Sequence, residues 1–350
     1  MTRSSQTIIG VDIGRHTIKA AQLQACGGRY RIYSLLLLPR PQPENEIGAE
    51  DALAIKKSLK RQGLSGNRIA IAAPERMLLR TTVEVPSKVT GASAEQIIRM
   101  ELSRLHNVAP DSFELAHWDL AAANNSRPIT QTLAVGCPHD AANALLDVFE
   151  NAGFCAAALD VRSAAVARAC SPLLLPPPQL TAIVDLGWRS TSVLFVCGRS
   201  LVYERSVQGA PIGDLAGKFT EVFALEPGSA YQIIGTIGPG TDEPAGHYDP
   251  ESLDVIRKHM RAHFDKLLDE LKVPLSYANH QFAGEGVKRL LLIGGGAGVP
   301  QLAPYFEARL GIEVKRGAPS DLVDSPPELS AKAANPAMTC AVGLAQFEGV

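Results

Sequence analysis

The chain has 350 residues, 46% of them apolar and 20% charged, with a formal net charge of −2. That length exceeds one ordinary core and suits two domains or two large lobes with a sizeable interior. With no basic excess, nucleic-acid binding driven by phosphate neutralisation is disfavoured, and no nucleic-acid partner is expected.

The opening "MTRSSQTIIG" lacks the apolar segment of a signal peptide, and no apolar run reaches the roughly 18 residues of a membrane span. Residues 7–38 read as three strands: "TIIGVDIG", then "TIKAAQLQ" after a tight turn, then "RYRIYSLLLL" after a Gly27-Gly28 turn. Residues 50–62 read as a helix with Leu53, Ile55 and Leu59 at helical spacing and Gly63 as its stop. Its "KKSLKR" run is a solvated face, with a weak attraction to anionic lipid of about 1 kcal/mol per basic residue. "RIAIAAP" at 68–74 is a core strand.

A change of texture at 75–127 marks a small inserted module. It holds the strand "LLRTTVEVP", a helix capped by Ser93 with Ile98, Leu102 and Leu105 on one face, and the strand "FELAHWDLAAA". "TLAVGCP" at 132–138 is expected to return to the first core, followed by a helix ending at Gly153 and the strand "CAAALDV". The proline-rich "SPLLLPPPQL" at 171–180 resists helix and ladder alike and marks the boundary between lobes. Beyond it come the strands "TSVLFVCG" and "SLVYERSV" and a loop at 237–250. A long helix at 251–271 carries Leu253, Ile256, Met260, Phe264, Leu267 and Leu271 three or four apart. "RLLLIGGGAGVPQLAPYFEARLG" is strand, glycine turn and helix, and a small-residue helix in "NPAMTCAVGLAQF" closes the chain.

One phrase occurs twice. "IGVDIGRHTIK" at 9–19 and "AIVDLGWRSTS" at 182–192 each run an apolar strand into Asp-x-Gly with hydroxyls following. Asp12 and Asp185 would stand at the mouths of their sheets, while Gly14 and Gly187 let the backbone turn tightly beside a ligand. Thr17, Ser190 and Thr191 offer hydroxyl and N–H donors to phosphate oxygens. A carboxylate beside phosphates suits Mg²⁺ held through waters, so Asp12 and Asp185 are the candidate metal residues. Each copy enters a strand, not the helix of a dinucleotide fingerprint. A lone Asp-x-Gly is a plain hairpin; two in matching contexts predict duplicated lobes gripping a polyphosphate between them.

The run Gly294, Gly295, Gly296 follows a strand but breaks G-x-G-x-x-G at Val299. It offers bare backbone to a nucleoside base or ribose, or it serves only strand–helix packing. Asp160 follows a strand and either helps position a metal-bound water or caps the next helix. His259 and His263 have the i, i+4 spacing of metal ligands, but Arg257, Lys258 and Arg261 would repel a cation, so a surface helix face is preferred. The six cysteines (Cys26, Cys137, Cys155, Cys170, Cys197, Cys340) form no Cys-x-x-Cys pair and read as small hydrophobes of a reducing cytoplasm.

The two Asp-x-Gly loops and the glycine run, in this order, resemble the phosphate and adenosine loops of actin-like ATPases. "CAAALDVRSAAVARA" and "NPAMTCAVGLAQ" resemble the two connecting helices of that fold. More narrowly, "GVDIGRHTIKAAQL", "LLRTTVEVPSKVT", "EQIIRMELSRLHNVAPDSFELAHWDL" and "VDLGWRSTSVLFVCGRSLVYERSVQGAPIGDLAGKF" resemble the PilM family of type IV pilus assembly. The 75–127 module resembles the 1C subdomain that this family shares with FtsA.

The resemblance implies a two-lobed α/β, ribonuclease H-like actin fold. The first lobe would span 1–74 and 128–178, the inserted 1C-type module 75–127, the second lobe 179–335 and the returning helix 336–350. It implies a cytoplasmic scaffold recruited to the inner face of the inner membrane by the N-terminal peptide of a PilN-like protein. Strand 78–85 and helix 95–105 would face that peptide, and weak self-association is compatible with this reading. ATP and Mg²⁺ are the implied cofactors, at Asp12, Gly14, Arg15, His16, Thr17, Lys19, Asp185, Gly187, Ser190, Thr191 and Gly294–Gly296. The chain departs from the family where Arg15 and His16 replace small hydroxyl residues. Tyr231 and Ile234 stand where a glutamate and a lysine often contact the nucleoside.

At most slow ATP hydrolysis is expected, because no strong general base is evident. A small-molecule kinase and an FtsA-like filament are the alternative readings. The second is disfavoured because the chain ends at Val350, leaving no room for an amphipathic membrane helix after "AVGLAQFEGV".

Overall fold

The computed structural model describes residues 5–27, 29–62, 66–120, 129–207, 209–240, 248–282 and 286–347. The first lobe opens with strands β1 (Ser5–Gln6), β2 (Ile9–Ile13), β3 (Thr17–Cys26) and β4 (Arg29–Pro39), then helix α1 (Ala49–Arg61) and strand β5 (Arg68–Ala72). The inserted module follows as β6 (Leu79–Pro86), α2 (Ala92–His106), β7 (Phe113–Asp119) and β8 (Ile129–Pro138). The chain re-enters the first lobe through α3 (His139–Asn151) and β9 (Cys155–Asp160), and leaves along α4 (Arg162–Ala169). The second lobe contains β10 (Leu180–Leu186), β11 (Thr191–Cys197), β12 (Ser200–Val207), α5 (Ile212–Phe223), α6 (Pro227–Thr236) and α7 (Pro250–Gln281). It continues with β13 (Val287–Ile293), α8 (Leu302–Leu310), β14 (Glu313–Arg316) and the short helices α9 (Pro319–Leu322) and α10 (Ser330–Ala333). Helix α11 (Thr339–Ala345) ends the described chain.

The repeated phrase marks a repeated architecture. The first sheet runs β4-β3-β2-β5-β9, with β1 added beside β3; the second runs β12-β11-β10-β13-β14. In both, the Asp-bearing strand pairs antiparallel with the next strand, which pairs antiparallel with the third. On its other edge it pairs parallel with the fourth strand, which pairs parallel with the fifth. Central strands buried on both faces need apolar runs, and "LTAIVDL" of β10 is buried throughout.

Each sheet packs helices outside and shares a core inside. Ala52, Ile55 and Leu59 of α1 and Leu145 and Phe149 of α3 cover the outer face of the first sheet. Phe219, Met260, Phe264, Leu271 and Phe306, from α5, α7 and α8, cover that of the second. Between the sheets lie α4 and α11: Ala165, Val166, Cys340 and Leu344 pack with Ala70 of one sheet and Ile183, Leu194 and Leu291 of the other. Small residues permit this approach, and every residue of α11 is buried.

Several expectations are revised. Strand β8 is the central strand of a separate three-stranded sheet, β6-β8-β7, and not part of the first lobe's sheet. The inserted module therefore extends to Pro138, past the expected end at 127. Helix α2 starts after Gly91 with no side-chain cap, and Ser93 lies within it. Ile98 and Leu102 are buried under α2, whereas Leu105, on the same stripe, overhangs the helix end at 56% exposure. Leu53 of α1 is likewise exposed; Ala52 takes the buried position. The long helix runs to Gln281, past the expected end at 271, with Pro274 inside it. Gly28, Gly63, residues 121–123, residues 241–247 of the 237–250 loop and the last three residues lie outside the described residues.

Candidate functional site

The two Asp-x-Gly turns are the same hairpin. Gly14 N–H donates to Thr17 O, and Gly187 N–H donates to Ser190 O, each at 3.0 Å. Asp12 pairs in register with Lys19, and Asp185 with Ser192, so equivalent positions face each other in both loops. Space requires glycine at Gly187, where a Cβ would come 2.6 Å from Ser190 O; at Gly14 a Cβ would come 2.5 Å from Lys19 Nζ, the movable end of a side chain. Both loops, with Gly294, Gly295 and Gly296, line one interlobe cavity of about 950 Å³.

The aspartates converge, and an arginine lies between them. Arg162, the first residue of α4, donates from Nη1 to Asp12 Oδ1 at 2.5 Å and from Nε to Asp185 Oδ2 at 2.8 Å. Lys19 Nζ stands 3.2 Å from Asp12 Oδ2. Both carboxylates are buried, at 1% and 5% exposure. Burial pushes the Asp12 carboxyl up, but Arg162 and Lys19 together outweigh it and hold the group below the ordinary carboxylate range.

This arrangement does not fit the expected Mg²⁺. The position between the carboxylates is taken by a guanidinium, and two cations already balance two anions. Asp12 and Asp185, expected as metal residues, stand here as an ion-paired cluster bridging the lobes. Among the described residues no group of three or more His, Cys, Asp or Glu could hold a metal, His259 and His263 included.

The remaining candidates divide. Arg15, His16, Thr17, Lys19 and Ser190 line the cavity. Arg15 is ion-paired with Glu44. Thr191 is not a phosphate donor: it is fully buried and gives its hydroxyl proton to Ala210 O at 3.3 Å. Asp160 does not line the cavity; it is paired with Arg168, which also donates to Gly343 O at 2.9 Å, so it clasps α4 to α11. The glycine run serves two purposes. Gly294, at φ +79°, lies so close to Asp185 that a Cβ would overlap the carboxylate, and Gly296 packs on Ile212. Gly295 has open space and faces the cavity. Ile234 is core, while Tyr231 is half exposed.

His16 reaches across the cleft and meets Trp188 edge-on, with ring centroids 4.3 Å apart; Tyr231 lies 6.0 Å beyond Trp188. Partial burial, then Arg15 and Arg189, lower the His16 pKa below its ordinary 6.5. Neutral His16 is thus favoured in the fold, and its contribution is present above pH 6.5 and lost as pH falls through the lower folded value. Imidazolium quenches indole emission, so Trp188 fluorescence is expected to drop with a midpoint below pH 6.5. The drop should vanish in His16→Gln; the same drop in that variant would rule out the contact as its source.

Charge sets the cavity apart from the rest of the chain. Eight arginine and lysine side chains line it against four carboxylates, although the whole chain carries −2. Arg80 satisfies two of those carboxylates, Glu75 at 3.0 Å and Glu204 at 2.6 Å. Arg189, Arg205 and Arg316 line the cavity without a carboxylate partner among the described residues. Such a field favours an anionic ligand.

Duplicated five-stranded sheets, twin hairpins facing a common cleft and two small-residue helices between them define the two-lobed actin-like ATPase fold. The chain resembles an MreB5 of Spiroplasma citri bound to ADP, with TM-score 0.51 and 14% identity over 96% of this chain and 94% of that one. It resembles the ethanolamine utilization protein EutJ from Carboxydothermus hydrogenoformans with TM-score 0.55 and 15% identity, over 98% and 90% of the chains. Within this class the chain belongs to the family described as type IV pilus assembly protein PilM, which matches residues 10–232. The likeness to a structure titled "PilM-PilN type IV pilus biogenesis complex" reaches TM-score 0.78 at 20% identity, over 97% of each chain. No curated protein sequence matches it.

Sequence reasoning missed Arg162. The one signal available was its sign: a cation in the first turn of a helix opposes the macrodipole. Among the described residues no helix is long and apolar enough to cross a membrane.

Proposed function

We propose that this PilM-family chain is a cytoplasmic adaptor of type IV pilus, or related secretion, assembly. It holds ATP in the interlobe cleft and docks the N-terminal tail of a PilN-like inner-membrane protein between the first lobe and the inserted module. That tail brings it to the inner face of the membrane. The turns 14–17 and 187–190, with Arg15 and Lys19, hold the phosphates; Gly295 and Tyr231 flank the nucleoside. Hydrolysis is slow or absent, because both buried aspartates are engaged by Arg162 and neither serves as a base.

The observation that carries the reading is the position of the inserted module. Its edge strand β6 holds Arg80, which lines the cleft and bonds Glu204 of β12 in the second lobe at 2.6 Å. The side chains a peptide would meet on α2 include Ile97 and Met100, exposed at 36% and 53%. A shift of the second lobe on nucleotide binding would move β6 through the Arg80–Glu204 pair, giving a coupling between sites.

Calorimetric titration with a synthetic tail of the PilN-like protein from the same organism tests this. Binding should change by about fivefold or more when ATP is saturating, and Glu204→Gln should reduce that change. Met100→Asp should weaken the peptide without altering ATP binding. Absence of peptide binding would remove the adaptor reading, and equal affinity with and without ATP would remove the coupling.

A further inference from the structure

We infer that the interlobe cleft binds polyphosphate without a divalent cation, the guanidinium of Arg162 doing the bridging that a cation would otherwise do. The inference deepens the nucleotide-site reading and rests on it.

Three observations lead there. Arg162 bonds both lobes' aspartates at once, at 2.5 and 2.8 Å. A magnesium ion needs near-octahedral oxygen ligands and net negative charge around it. Here it would have to evict a guanidinium from two buried carboxylates and then face Lys19, 3.2 Å from Asp12.

The second observation is donor capacity. A guanidinium has five N–H donors in a planar fork, and Arg162 uses two on the aspartates. The other three have no acceptor among the described residues, and 28% of the side chain is open to the cavity that it lines. A phosphate oxygen is the acceptor that such a fork fits best.

The third is charge. The lining carries eight basic side chains against four carboxylates; Arg15 and Arg76 are also paired with Glu44 and Glu46, and Arg189, Arg205 and Arg316 have no carboxylate partner among the described residues. Magnesium would cancel about half the charge of a triphosphate. The free polyanion complements this cavity better than its magnesium complex does.

Titration calorimetry of the full chain with ATP, and separately with inorganic tripolyphosphate, in excess Mg²⁺ or in EDTA, decides the matter. The expected result is binding in EDTA that equals or exceeds binding in Mg²⁺, by up to about tenfold. ATP binding that requires Mg²⁺ overturns the inference and leaves the nucleotide reading standing. Tripolyphosphate binding in EDTA with no ATP binding keeps the metal-free site and overturns the nucleotide reading. Binding of neither, in either condition, overturns both.

Arg162→Gln tests the residue itself, with folding checked by circular dichroism. Its binding in EDTA should fall about tenfold or more, with partial recovery in Mg²⁺ as the carboxylates become available to a cation. Wild-type affinity in EDTA would overturn the role given to Arg162. The wild-type comparison stands on its own should the variant not fold.

Discussion

Arg162→Ala should lower the unfolding free energy by about 3–5 kcal/mol at neutral pH, an effect large beside the stability of a typical domain. The loss would arise from what remains. Asp12 and Asp185 are buried at 1% and 5% exposure, and without the guanidinium they would face each other with Lys19 as the one ion-paired cation left among the described residues. Like charges in a desolvated site raise each other's pKa. The variant should therefore recover stability as pH falls toward 5, when a proton takes part of the guanidinium's place. The wild type should behave oppositely: Asp12 is depressed below its ordinary 3.8, so its contribution is complete above that value and is lost as pH falls through the folded one. Urea unfolding at pH 7 and pH 5 measures the variant's recovery, and carrying the wild-type series below pH 3.8 measures its loss. A second test needs no titration: Asp185→Asn in the Arg162→Ala background should restore part of the loss. A deficit independent of pH, with no rescue, would mean that Arg162 acts through packing alone.

The same cluster shows how far the sequence could be read. The paired Asp-x-Gly phrases were legible because a hairpin is local: its strand, its glycine and its turn lie within a dozen residues. Convergence of the two aspartates followed from the duplication. Thr191 failed for a reason also present in the sequence. Strand side chains alternate faces, and in both hairpins the residue paired with the aspartate is seven positions on, Lys19 and Ser192. The residue before each, Ile18 or Thr191, must face the opposite way, and both are fully buried. Arg162 had no such rule. It lies between "CAAALDV" and a short helix, has no periodicity, and finds its partners on two other strands.

At the level of the fold, element type was legible but sheet membership was not. Strand β8 has an apolar stretch that suits a lobe core, yet its neighbours are β6 and β7. Nothing local distinguishes the two sheets, because pairing is decided by what closes around a strand. In α2, Leu105 shares the stripe of Ile98 and Leu102 but is exposed. Periodicity states which way a side chain points, not whether anything lies in front of it. The 251–271 stripe succeeded because it is long and continuous: Ile256, Met260, Phe264, Leu267 and Leu271 are all buried.

The second large effect is expected at Gly343, where α11 crosses α4. A Cβ there would overlap Ala165 O and come 2.6 Å from the Ala165 carbonyl carbon. Backbone cannot rotate aside as a side chain can, so even Gly343→Ala must part the two helices. A well-packed core resists such insertion by about 1–3 kcal/mol, and a backbone clash belongs at the upper end or beyond. Gly10 poses the same problem from the other side, since its Cβ would overlap Ala341 O. The expected contrast is Gly217→Ala in α5, where nothing lies within 4 Å; alanine there should stabilise by up to about 1 kcal/mol through helix propensity. Parting α4 from α11 has a second consequence. Helix α4 begins at Arg162, and its Arg168 bonds Gly343 O at 2.9 Å, so a displaced α4 carries the bridging guanidinium with it. Gly343→Ala should therefore lower thermal stability and polyphosphate affinity together. A variant that loses one and keeps the other would show that helix spacing does not set the spacing of the lobes.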